Sequence, residues 1–173
     1  ASAPTYDANS FIGGISQAEY SALQVDHDTP LFNRALRGQY PPGSTIKPMI
    51  GLVGLHYGAV NWKSEYFSRG FFQLPGNDHK YRDWKEWGHG RVSMDKAIIE
   101  SCDTYFYDMS VRLGIDQMSE GMKHFGFGRR QGRDIEGDLP GILPSRNWKR
   151  AARNESWYLG ETVISGIGQG FWV

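Results

Sequence analysis

Tyr40-Pro41-Pro42-Gly43-Ser44-Thr45-Ile46-Lys47-Pro48 decides how the rest of the chain is read. Pro41, Pro42 and Gly43 mark a turn, since proline fixes φ and glycine tolerates unusual backbone angles. Ser44 then falls where a helix N-cap is expected. Ile46, Met49, Ile50, Leu52, Val53 and Leu55 follow as an apolar run suited to a buried helix to about His56, ended by Gly58. Pro48 is compatible with that helix because a missing N–H costs little in the first turn. On it, Ser44 and Lys47 share a face. A serine hydroxyl becomes a nucleophile when a base takes its proton, and a desolvated lysine can be that base. A helix N-terminus also favours the oxyanion formed when serine attacks a carbonyl. The same letters suit an ordinary capped core helix with a surface lysine, and Ser93-Met94-Asp95-Lys96 repeats the pattern.

On either side, 173 residues are enough for one domain with a real core. Lys+Arg and Asp+Glu both number 19, so no global field points to nucleic acid or an anionic membrane surface. Cys102 is the single cysteine and excludes an internal disulfide. No apolar run is long enough for a membrane span and no signal peptide opens the chain. The first and last residues read as a trimmed piece of something longer. Upstream, Ser16-Gln17-Ala18-Glu19 has the form of a capping box before a short helix. Downstream, residues 61–91 form a loop-rich insert with aromatics that include Trp62, Phe67, Phe72, Tyr81, Trp84 and Trp87. Such an insert reads as a packed lid before a glycan platform, because aromatics mostly supply buried area. Helices are expected after Ser93, after Asp103 to Gly114, and from near Asp116 to Gly126. Residues 127–160 read mostly as loop, with Arg129, Arg130 and Arg133 solvated. Thr162-Val163-Ile164 suits a strand or the start of a helix.

Asp83, His89 and Cys102 are metal-ligand types, and the three could converge on Zn²⁺ if the insert folds over Cys102. They equally suit a small buried cysteine and a hydrogen-bonded loop histidine.

In order, Pro-Pro-Gly-Ser44-Thr-Ile-Lys47-Pro, Ser101-Cys102-Asp103 and Gly166-Ile167-Gly168-Gln169-Gly170 resemble the transpeptidase domain of class B penicillin-binding proteins. The insert Tyr81-Arg82-Asp83-Trp84-Lys85-Glu86-Trp87-Gly88-His89-Gly90 resembles the elongation-type penicillin-binding protein 2 group of Gram-negative bacteria, and the likeness spans essentially the whole chain. It implies an α/β (α+β) penicillin-binding protein/serine β-lactamase-like fold: a helical subdomain plus part of an α/β core over residues 1–173. It also implies a D,D-transpeptidase that cross-links peptidoglycan stem peptides. Ser44 would attack the penultimate D-Ala carbonyl, with Lys47 as its base and Ser101 passing a proton to the leaving group. Asp103 would stand where many relatives have Asn; Ser145-Arg146-Asn147 is a second, lower-ranked match to that motif. β-Lactams, as D-Ala-D-Ala mimics, would acylate the same serine.

The family's Lys-Ser/Thr-Gly motif is absent from these residues and in relatives follows the point reached here. No cofactor is implied for catalysis. A structural zinc is, on Asp83, His89 and Cys102, with a fourth ligand expected near Ser68 and Glu65 or Asp78 as substitutes. The implied partners are a glycan polymerase and scaffold proteins of the elongation machinery, with no nucleic acid. The implied setting is the periplasmic face of the inner membrane, reached through an N-terminal anchor outside this sequence. The rivals are a serine β-lactamase, whose deacylating glutamate would have to come from unplaced residues such as Glu136, Glu155 or Glu161, and a non-catalytic scaffold or sensor on the same fold.

Overall fold

The structure is a computed structural model that describes residues 2–132, 134 and 136–173, so Arg133 lies outside the described residues. The chain divides into two compact units, residues 1–39 with 130–140, and residues 40–129 with 141–173.

The first unit holds α1 (Gln17–Val25) and α2 (Arg34–Arg37). The capping box forms as the spacing predicts: the Ser16 hydroxyl accepts the Glu19 N–H and the Glu19 carboxylate accepts the Ser16 N–H, both at 3.2 Å. The Asp138 carboxylate accepts the Gln131 and Gly132 N–H groups at 2.7 and 2.8 Å, and those bonds hold it below its ordinary range.

The second unit is helical at its centre. α3 (Lys47–His56), α5 (Asp103–Leu113), α6 (Ile115–Lys123) and α8 (Leu159–Ser165) pack together, with α4 (Met94–Ile99) beside α5. Ile50, Val53, Phe106, Met109, Met118, Met122, Val163 and Trp172 make the core. Gly121 lets α6 approach α3, since a Cβ there would lie 2.5 Å from Val53 Cγ1. α5 ends at Gly114, whose φ of +76° turns the chain directly into α6.

Residues 127–160 depart from the expected loop. α7 (Arg146–Arg153) forms there, capped by Ser145, which accepts the Trp148 N–H at 3.0 Å. Its buried anchor is a lysine. Lys149 is 2% exposed, and its Nζ meets Glu161 at 2.5 Å, Ser156 O at 2.9 Å and Glu155 at 3.3 Å; the Glu161 bond holds it charged. Residues 162–164 are helical, inside α8.

The insert is two nested antiparallel pairs. Outer β1 (Tyr66–Ser68) pairs with β4 (Gly90–Val92), Tyr66 opposite Val92 and Ser68 opposite Gly90. Inner β2 (Phe71–Gln73) pairs with β3 (Lys80–Arg82), Phe71 opposite Arg82. Phe72 is buried against Tyr81 and Tyr107, as a packed lid requires, while Trp62, Phe67, Trp84 and Trp87 remain at the exposed rim. Gly70 and Gly88 interlock where the pairs meet: a Cβ on Gly70 would strike the Glu86 carbonyl, and one on Gly88 the Ser68 carbonyl.

Candidate active site

Ser44 lies in a 3-10 turn, Gly43–Ile46, and not at an N-cap; α3 starts at Lys47 with Pro48 in its first turn. Ser44 and Lys47 therefore sit three residues apart across the junction of the 3-10 turn and α3. The turn is held locally by Thr45 Oγ1, which donates to Pro42 O at 2.6 Å, and by the Lys47 N–H on Ser44 O. Ser44 is exposed while Lys47 is 2% exposed, so the hydroxyl faces the outside and the amine beside it is dry. Among the described residues the Ser44 N–H makes no hydrogen bond. It is one of the free donors of a helix start, placed beside its own hydroxyl.

The Lys47 ammonium, which has three protons to donate and no acceptor, meets three oxygens. It is 2.6 Å from Asp103 Oδ1, 2.8 Å from Ser101 O and 3.1 Å from Ser101 Oγ, above the Phe106 ring at 5.3 Å. Ser101 occupies the tight turn between α4 and α5 with φ +51°, a left-handed conformation that costs a non-glycine residue about 1–2 kcal/mol. In that conformation both its carbonyl and its hydroxyl reach Lys47. Asp103 opens α5, where a negative charge suits the helix's positive end. Three of the four residues singled out from the sequence thus meet, a buried amine with a hydroxyl and a carboxylate on it, and the exposed Ser44 stands three residues before that amine in the chain. The arrangement suits acyl transfer with a proton moving between Ser44, Lys47 and Ser101.

The competing motifs are committed elsewhere. Ser145 caps α7. Ser93 binds Asp95, and Lys96 donates to His89 O at 2.9 Å and Arg91 O at 3.1 Å. Glu155 and Glu161 bind Lys149, and Glu136, Arg129 and Arg130 are exposed.

Asp83, His89 and Cys102 do converge. They are all buried, with ligand atoms within 4.8 Å of one another. His89 sits between two carboxylates, Nε2 at 3.0 Å from Asp83 Oδ1 and Nδ1 at 2.6 Å from Glu100 Oε2. Asp83 Oδ2 accepts the Thr104 N–H at 2.9 Å and the Thr104 hydroxyl at 3.2 Å, with Cys102 Sγ at 3.6 Å. Burial works to raise the Asp83 carboxyl, yet the Thr104 N–H, His89 and the Lys85 N–H hold it below its ordinary value. Burial pushes the Cys102 thiol up. Of the proposed substitutes for a fourth ligand, Glu65 pairs with Arg91 at 3.2 Å and Asp78 is exposed. Ser68 and Thr104 take that side instead: their hydroxyls are 2.7 Å apart, and Ser68 Oγ accepts the His89 N–H at 3.2 Å. Thr104 and Glu100 were not foreseen; the only signal was their adjacency to the Ser101 motif. Cys102 is the N-cap residue of α5, so the cluster fastens the insert to the residues that hold Lys47.

The model of the penicillin binding protein transpeptidase domain matches residues 1–172. The chain is 50% identical over 169 residues to the peptidoglycan D,D-transpeptidase MrdA of Acinetobacter baumannii, covering 98% of this chain and 25% of the relative. It superposes on Pseudomonas aeruginosa PBP2, solved in complex with WCK 5153, with TM-score 0.96 and 50% identity over 99% of this chain and 39% of that one. It also superposes on Helicobacter pylori PBP2, solved in complex with MreC, with TM-score 0.93 and 38% identity over 99% and 32%. The chain thus spans about a quarter of the length of the curated relative. With that match over nearly every residue, the chain belongs to the family of penicillin-binding protein transpeptidase domains.

Proposed function

We propose that this chain carries the nucleophile of a peptidoglycan D,D-transpeptidase, and that Ser44 is the residue acylated. The observation that carries this is the buried Lys47 amine, held by Ser101 and Asp103 and set three residues after an exposed serine. Ser44 Oγ attacks the carbonyl of the penultimate D-Ala of a stem peptide. Lys47, having passed one proton to the Asp103 carboxylate that it touches, takes the hydroxyl proton, and the free Ser44 N–H faces the developing oxyanion. The C–N bond then breaks and terminal D-Ala leaves with a proton delivered through the Ser101 hydroxyl. The amine of a second stem peptide resolves the acyl-enzyme by the same route in reverse. A β-lactam places a strained amide on the same serine and leaves a slowly resolved ester.

The kinship with MrdA and PBP2 supports a place in cell elongation, with a glycan polymerase and scaffold proteins as partners; the MreC complex of the Helicobacter pylori relative supports the second of these. The Acinetobacter and Pseudomonas relatives support the periplasmic face of a Gram-negative inner membrane as its setting. No helix among the described residues is long and apolar enough to cross a membrane.

A structural zinc on Asp83, His89 and Cys102 belongs to the same reading. The donor set fits three of the four positions that zinc takes, and Glu100 on Nδ1 leaves Nε2 as the metal-facing nitrogen. When bound, zinc would cross-link the insert to the start of α5; no proton or acyl transfer passes through it. Cobalt loading tests this: thiolate-to-cobalt absorbance that Cys102→Ser removes supports a metal, and its absence from the wild type rejects one.

Incubation with benzylpenicillin followed by intact mass measurement tests the main reading. A single stable adduct on the wild type and none on Ser44→Ala is expected. Rapid turnover of a chromogenic cephalosporin without adduct would indicate a β-lactamase, and no acylation in the full-length protein would leave a scaffold.

A further inference from the structure

We infer that Gly168 is a positioning residue for Ser44, because it sets the plane of the Gly43–Ser44 peptide. The inference rests on Ser44 being the acylated nucleophile. Gly168 touches both peptides that meet at Gly43, the Pro42–Gly43 unit through its N–H and the Gly43–Ser44 unit through its carbonyl. Its carbonyl accepts the Gly43 N–H at 2.9 Å. Its Cα faces the Gly43 backbone so closely that a Cβ would strike the Gly43 carbonyl oxygen and lie 2.9 Å from the Gly43 carbonyl carbon and nitrogen. The Gly43 carbonyl and the Ser44 N–H belong to one planar unit. A side chain at residue 168 therefore rotates the donor beside the nucleophile along with the nucleophile's own backbone.

Gly43 needs an external hold. It has φ +57° and open space where a Cβ would stand, so the local bonds of Thr45 and Lys47 hold the turn without any packing against Gly43 itself. The bracing loop is itself anchored. Gly166 packs against Ser110 and the Phe106 carbonyl of α5, and Trp172 Nε1 donates to Ser165 O at 3.0 Å. α5 also carries Asp103, so one rigid element places the nucleophile turn from one side and the lysine's carboxylate from the other.

Gly170 supplies the control. Its φ is +80°, so alanine there meets the same left-handed penalty, but its Cβ would face only the flexible Ile164 side chain at 3.1 Å. The measurement is β-lactam acylation on the full chain, resolved into the non-covalent dissociation constant and the acylation rate constant, with thermal midpoints taken alongside. Gly168→Ala is expected to lower the rate constant about 100-fold with little change in the dissociation constant, as a displacement of about 1 Å does. Gly170→Ala is expected to lose thermal stability without that fall in rate. Equal acylation by Gly168→Ala and wild type, or rates that fall in both variants in step with their midpoints, would overturn the inference. Should Gly168→Ala not fold, amide exchange in the wild type decides: the Gly43 N–H must be protected and the Ser44 N–H fast, and an unprotected Gly43 rejects the brace. A wild type that is not acylated at all fails the nucleophile reading, a separate outcome.

Discussion

Truncating Asp103 to alanine removes the carboxylate from a lysine that has no water to replace it. The Lys47 side chain is 2% exposed and that of Asp103 15%, with 2.6 Å between Nζ and Oδ1. At that distance two unit charges attract by about 6 kcal/mol at an effective dielectric of about 20. Desolvation of both ions offsets part of this, and removing one partner of a buried pair costs about 3–5 kcal/mol. With a urea m-value of about 2 kcal/mol/M, the unfolding midpoint of Asp103→Ala should fall by roughly 2 M. Asp103→Asn separates charge from contact. Its amide oxygen still accepts from the ammonium, a hydrogen bond to a charged group worth about 1.5–3 kcal/mol, so it should lose only about 1–3 kcal/mol. The assay is urea unfolding followed by tryptophan fluorescence on the three proteins, with benzylpenicillin acylation measured on each. A midpoint shift for Asp103→Ala below about 0.5 M would mean that Lys47 rehydrates and the pair behaves as a surface ion pair. Equal losses in the two variants would refute the electrostatic account.

Gly121→Ala drives a Cβ into Val53 and should cost about 1–3 kcal/mol, with Val53→Ala in the same chain recovering part of the loss by double-mutant cycle. The Tyr105 hydroxyl is the buried side-chain polar atom without a hydrogen-bond partner among the described residues, so Tyr105→Phe should raise stability, by about 1 kcal/mol in chemical denaturation. Burial raises Tyr66, Tyr105 and Tyr107 above the ordinary 10.0, which favours the neutral phenol in the fold. The unfolded chain therefore loses those protons first; the contribution is intact below pH 10 and disappears as pH rises past it. The share of the tyrosinate absorbance that replacing Tyr66, Tyr105 and Tyr107 together by phenylalanine removes should accordingly appear together with loss of helical circular dichroism, and its earlier appearance in a still-folded chain would contradict the burial.

Much of the helical unit was legible because glycines punctuate it: Gly58, Gly114 and Gly126 stop helices where their positive φ permits and other residues resist. Ser44 and Lys47 were legible through the turn before them, although the sequence pointed to an N-cap and the chain forms a 3-10 turn. Both solutions place residues three apart on one side, so spacing alone could not choose between them. α7 was missed because its buried anchor is Lys149, and hydrophobic periodicity is blind to a helix fastened by a charge. The metal-type triad could be read by residue type, whereas the Ser68 and Thr104 hydroxyls around it could not, since hydroxyls occur everywhere and carry no characteristic spacing.

The hydrogen bond between Gly43 and Gly168 spans far more of the sequence than the insert's strand pairings, which all lie within residues 66–92. Loop-closure entropy makes the short-range pairs the early events of folding and the distant one a late event. A growing polypeptide can therefore assemble its insert and central helices well before the serine turn is fixed. In the order of synthesis, the turn that carries Ser44 gains this brace only once Gly168 has been made, after the insert and the central helices that surround it.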